Sequence, residues 1–168
     1  SAAVNLLIDY GADIDARDIQ GKTPLFYAVE NGKISTSNAL LTAGPDPDAA
    51  DTLHFTPLLR ATVAEFPEIV ENLLFFGANV YAADGQGKTA LMHAAKQGRK
   101  KLVGMLLEAG SDMFASDDKG RTALMYAVIH NRVDIIEILL SYGAFVDEAD
   151  HKGKTALLFA VELNRVAA

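Results

Sequence analysis

Residues Asp84–Ser116 read D-G-Q-G-K-T-A-L-M-H-A-A-K-Q-G-R-K-K-L-V-G-M-L-L-E-A-G-S-D-M-F-A-S, and this stretch decides the fold because it holds two short helices and a turn in an order that recurs. Gly87 precedes Thr89, whose hydroxyl is placed to accept a hydrogen bond from the free amides of a first helix running to about Gln97. Gly98 suits the left-handed close of that helix. A second helix follows, with Leu102, Val103, Leu106 and Leu107 spaced to make one apolar stripe. Gly110 ends it, and the run through Asp117 and Lys119 to the next glycine has the turn chemistry of a hairpin-like finger.

Working outward, the same residues return every 33 positions without an insertion. Threonine stands at Thr23, Thr56, Thr89, Thr122 and Thr155; aspartate at Asp18, Asp51, Asp84, Asp117 and Asp150; glycine at Gly11, Gly44, Gly77, Gly110 and Gly143. A fixed period in the range of roughly 20 to 50 residues marks stacked supersecondary units, each unable to bury its apolar face without a neighbour. Pro24 and Pro57 follow their threonines at the first helical position, where a missing N–H costs nothing.

These residues resemble the ankyrin repeat family, whose unit carries a T-P-L-H-x-A signature. Thr23-Pro24-Leu25-Phe26-Tyr27-Ala28 and Thr56-Pro57-Leu58-Leu59-Arg60-Ala61 match with proline, and Thr89-Ala90-Leu91, Thr122-Ala123-Leu124 and Thr155-Ala156-Leu157 match with alanine. Gly11-Ala12-Asp13 and Gly77-Ala78-Asn79 resemble the family's G-A-D segment. One departure is systematic: Phe26, Leu59, Met92, Met125 and Leu158 stand where the family places histidine, so apolar packing must replace that residue's hydrogen bonds. The resemblance implies an all-α, ankyrin-type solenoid of stacked helix-turn-helix units with finger loops. It forms a single array over residues 1–168, with a partial unit at 1–17, units at 18–50, 51–83, 84–116 and 117–149, and a partial unit at 150–168.

Composition narrows the function. Twenty-two acidic against 15 basic residues give a net charge of −7, which argues against broad nucleic-acid binding. No run of about 18 apolar residues is present to span a bilayer, so no membrane insertion is expected. The absence of cysteine rules out disulfides and thiolate metal clusters and is compatible with a reducing compartment; the cytoplasm is the expected location.

Catalytic chemistry is not expected, and neither a cofactor nor a metal. His54, His93, His130 and His151 occupy four different places in the unit and do not converge as ligands would. The periodic aspartates are architectural, since a group needed once per repeat ties each finger to its helix. Gly85-Gln86-Gly87-Lys88-Thr89 looks like a phosphate loop but lacks the G-x-x-x-x-G-K-[ST] spacing.

The resemblance implies a protein-interaction scaffold that binds a partner protein on the concave face formed by fingers and first helices. By register, Tyr27, Leu53, Phe55, Arg60, Lys88, His93, Lys96, Arg121, Tyr126, Ile129 and His130 fall on that face, and tyrosine and arginine are types enriched at interface hot spots. Leu53, Phe55 and Val63 are apolar where polar residues are usual, which fits either a docking patch or packing beneath a neighbouring finger. Arg99, Lys100 and Lys101 form a basic run between helices suited to attracting an acidic segment, or simply to solvation. The alternative function is a non-catalytic regulatory or targeting segment of a larger enzyme, channel or effector, its partner being other domains of the same longer chain.

Two further readings concern weak points. Thr36 and Ser37 replace the aliphatic pairs seen as Ile69-Val70, Leu102-Val103 and Ile135-Ile136, so the second helix of that repeat is expected to be the weakest. Ala3–Ile8 aligns with a second helix that lacks its first, and only four residues follow Asn164, so the final unit has almost none of its second helix. A segment of a longer chain is the expectation.

Overall fold

Helices begin where the threonines stand. A computed structural model describes residues 2–166, and among them ten α-helices are found, with one isolated antiparallel bridge between Ala149 and Thr155. The chain divides into two compact units, Ser1–Gly85 and Gln86–Ala168.

The first unit holds α1 (Ala2–Asp9), α2 (Pro24–Glu30), α3 (Ile34–Ala43), α4 (Pro57–Val63) and α5 (Pro67–Phe75). Thr23 Oγ1 accepts from the Phe26 N–H at 3.2 Å and Thr56 Oγ1 from the Leu59 N–H at 3.3 Å, each satisfying an amide that a helix start leaves bare. Pro24 and Pro57 stand just inside those caps. The first helices α2 and α4 pack on one another, while the second helices form their own row, α1 on α3 and α3 on α5. Leu25, Phe26, Leu58, Leu59, Ile69, Val70 and Leu73 are fully buried between the rows. At about 1.5 to 3 kcal/mol each, they are the main cohesive force of the unit.

The second unit repeats the scheme with α6 (Ala90–Gln97), α7 (Lys100–Glu108), α8 (Ala123–Ile129), α9 (Val133–Ser141) and α10 (Ala156–Val166). Thr89, Thr122 and Thr155 cap Met92, Met125 and Leu158 at 3.4 Å. Here α6, α8 and α10 form the row of first helices, and α7 packs against α9. The stripe of Leu102, Val103, Leu106 and Leu107 is buried as its spacing predicts. The residues in the family's histidine slot do turn inward: Phe26, Leu59, Met92 and Met125 are buried, whereas Leu158 is exposed.

Four of the fingers are seen to be locked by their aspartates. Asp18 Oδ1 accepts from the N–H groups of Gln20 and Lys22, both at 2.8 Å; Asp51, Asp117 and Asp150 do the same for the residues two and four positions on, all at 2.9 Å. Neighbouring fingers are then joined main chain to main chain: Thr52 N–H donates to the Gln20 carbonyl at 2.9 Å in the first unit, and His151 N–H to the Lys119 carbonyl at 2.9 Å in the second. The architectural reading of these aspartates rests on that geometry.

The helix expected to be weakest, α3, is complete over ten residues. Ser37 is fully buried, but its Oγ donates to the Ile34 carbonyl at 2.9 Å, so the hydroxyl is satisfied within the helix itself. The last first helix, α10, runs through Asn164 to Val166. The equivalent Asn131 adopts φ 53° because the Arg132 N–H must return to the Ala127 carbonyl at 2.8 Å to start α9. Where no such return is made, the right-handed helix is the default for an L-residue. Residues 167–168, on which the reading of a nearly absent final second helix also rests, lie outside the described residues, as does Ser1.

Candidate functional site

In the first unit, the fingers at 18–22 and 51–55 and the helices α2 and α4 bring four of the sequence candidates onto one surface. Ile19 and Leu53 project from the two finger tips, 98% and 64% exposed. Behind them Arg60 lies with its guanidinium carbon 4.9 Å from the centre of the Phe55 ring and 5.6 Å from that of Phe26. Its Nη2 stands 3.9 Å from Asp51 Oδ2 and its Nε 3.7 Å from Glu30 Oε1. Glu30 is shared with Lys22, whose ammonium reaches it at 2.9 Å. Phe55 and Val63 are half-buried. Of the two readings of the apolar trio, only Leu53 is surface; Phe55 serves as the plate under Arg60.

Tyr27 is 44% exposed, and its hydroxyl donates to Asp18 Oδ2 at 2.7 Å. That bond, with the N–H donors of the finger, holds the Asp18 carboxyl below its ordinary value and raises the phenol. The ring is thus fixed in place before any partner arrives, which lowers the ordering cost of a contact.

In the second unit the same register gives a different surface. Tyr126 also donates to its finger aspartate, Asp117, at 2.6 Å, but it is only 5% exposed. Lys88 Nζ sits 5.8 Å from its ring centre and helps cover it. Sequence reasoning placed Tyr126 on the outward face; the structure makes it a buried brace, its ring covered where that of Tyr27, with the same bond to its own finger aspartate, is left open. Burial works against ionisation of Asp117, yet the Tyr126 hydroxyl and the N–H groups of Arg121 and Lys119 outweigh it and lower the carboxyl; the phenol is raised by burial and by the same bond.

Arg121 repeats the role of Arg60, its guanidinium 5.4 Å from the centre of the Phe159 ring and 3.9 Å from Asp150 Oδ2. His130 Nδ1 lies 3.0 Å from the Tyr126 carbonyl and the residue is half-buried. Lys96 is exposed at the end of α6, and His93 is half-buried on the same helix. Ile129 points elsewhere: it helps line an open groove of about 610 Å³ between α8, α9 and α10, with Val128, Leu140, Leu157 and Leu163. Within the basic run, Lys100 is paired with Asp134 at 2.6 Å.

Period, caps, locked fingers and two rows of helices meet in one outside observation: a family model for ankyrin repeats (3 copies) matches residues 1–51, 38–117, 58–150 and 110–168. The chain belongs to the ankyrin repeat family. No curated protein matches it significantly. Ankyrin repeats are in general protein–protein interaction modules, and the family is typically non-catalytic. No helix among the described residues is long and apolar enough to cross a membrane.

Register puts Ile19 of this ankyrin array on the reading surface, and it is the most exposed of the large apolar side chains. Phe75 and Phe76, at the end of α5, are exposed as well. They escaped notice because both follow a buried stripe and read as part of it.

Proposed function

We propose that this ankyrin array binds a protein partner through its fingers and first helices, and that in the first unit the contact is made by Ile19, Leu53 and Tyr27 around the Arg60 stack. The observation that carries this reading is the pair of exposed apolar tips on fingers whose backbones are already locked by Asp18 and Asp51. Exposed apolar side chains on a rigid support gain burial on binding at little conformational cost. Arg60, held by two carboxylates and a ring, is placed as a polar anchor beside them. In the second unit the corresponding surface is polar, with Lys96, Lys119, Lys152 and His151 exposed. We assign the second unit's surface a charge-steering role of its own.

The experiment is quantitative capture of binding proteins with the wild type and with Ile19→Ser plus Leu53→Ser. Both side chains are solvent-facing, so circular dichroism and melting should be unchanged while recovery of the specific partner falls severalfold. Equal recovery on both baits would remove the finger surface from consideration.

A further inference from the structure

The two units differ sharply in charge. Residues 1–85 carry four basic against twelve acidic side chains, a net of −8, and residues 86–168 carry eleven against ten, a net of +1. Three of the four bases of the first unit already have partners: Lys22 with Glu30, Arg60 with Glu30 and Asp51, and Arg17 Nη1 with the Ala50 carbonyl at 3.0 Å. None of these reaches α5.

On α5 the buried side is Ile69, Val70 and Leu73. Glu68, Glu71 and Phe75 follow one another at spacings of three and four, so they share the opposite side of the helix, and all three are exposed. Phe75 is 82% exposed and Phe76 41%, their ring centres 5.3 Å apart and their planes at 80°. Phe75, in water on the same side of the helix as two carboxylates, has no role in the core of the unit.

The same chemical set occurs once more in this unit, filled. Arg60 is held over the Phe55 ring with the carboxylates of Asp51 and Glu30 at 3.9 and 3.7 Å. The outward side of α5 offers rings and two carboxylates without the arginine. A guanidinium is attracted to an aromatic face and pairs with carboxylates at once, which an ammonium does less well. A field of −8 draws such a group in and repels phosphate-bearing surfaces.

We propose that the outward side of α5 receives an arginine-bearing basic segment of a protein partner, with an arginine seated between Phe75 and the Glu68 and Glu71 carboxylates. This surface lies on a second helix, so it is separate from the finger contact and stands or falls without it.

The test uses a fluorescent peptide of about a dozen residues containing leucine and four arginines, titrated into the full chain at low salt and followed by anisotropy. A peptide with glutamate at the four arginine positions is the control. Binding of the arginine peptide alone is expected, weakened roughly tenfold by Phe75→Ser, which leaves the net charge unchanged, and by Glu68→Gln with Glu71→Gln. Ile19→Ser with Leu53→Ser should leave it untouched. Phe75 is almost fully solvated, so its variant folds, and melting checks that. The proposal is overturned if the arginine peptide does not bind, or if Phe75→Ser retains wild-type affinity, which would mean diffuse charge attraction. It is also overturned if the wild type forms dimers that Phe75→Ser abolishes and the peptide cannot displace, which would make a second copy the occupant.

Discussion

At the residue scale, the fingers show how a single side chain is committed by its partner. Tyr27 and Tyr126 stand 99 positions apart and both bond the finger aspartate, but only Tyr126 does so from a buried position. Tyr126→Phe is therefore expected to cost about 1.5 to 3 kcal/mol, the range for a hydrogen bond to a charged group, measured by urea unfolding. The native carboxyl of Asp117 lies below its ordinary value of 3.8, so ionised Asp117 adds stability that is complete above that value and is lost as pH falls through the depressed one. Asp117→Asn should destabilise at neutral pH and converge with the wild type in strong acid. A constant difference across the titration would contradict this.

Backbone conformation separates two positions in the same register. Gly120 has φ +75°, and a Cβ there would lie 2.8 Å from the His151 nitrogen, whose N–H already donates to the Lys119 carbonyl. Neither can move, so Gly120→Ala should cost about 2 kcal/mol or more by thermal unfolding. At the equivalent site in the first unit a histidine, His54, is held at φ 61°. His54→Gly is expected to stabilise by about 0.5 to 1 kcal/mol, the left-handed strain removed less the entropy of a freer unfolded chain.

At the element scale, seven- to eleven-residue helices are too short to persist alone, so caps and neighbours decide whether they form. Thr122→Ala removes the acceptor for the Met125 N–H and should cost about 1 kcal/mol, with α8 losing hydrogen-exchange protection before α9. The helix α3 has support from outside its own sequence. Thr36 and Ser37 forgo aliphatic burial, yet Leu40 and Leu41 remain buried and Asn72 Nδ2 donates to Asn38 Oδ1 at 2.7 Å, tying α3 to α5. That bond runs between residues 34 apart and leaves no local pattern to read.

At the scale of the whole molecule, the charge division makes a claim that either unit can test. A net of −8 in the first unit repels itself, and salt screens that repulsion. Raising the salt from low to near-molar should increase protection of buried amides in α4 more than in α8, read by hydrogen exchange in one sample. Equal gains would show that the first unit's charge is not a stability term.

The period, the caps, the helix pairs and the family could be read from residues alone, because each is a local demand: a threonine before bare amides, a glycine where φ is positive, an apolar stripe at helical spacing. The locking role of the aspartates was legible for the same reason, since they bond amides two and four positions away. Register also anticipated that Tyr27 and Leu53, two of the eleven candidate surface residues, would be exposed. What only the tertiary structure decided is which equivalent residues differ: Tyr126 buried while Tyr27 is exposed, Phe55 beneath Arg60 while Leu53 is in water, Ile129 turned to a groove, Phe75 on the open side of α5. Register fixes where a side chain starts, but its exposure depends on the neighbouring repeat that covers it, and those contacts join residues a full repeat apart.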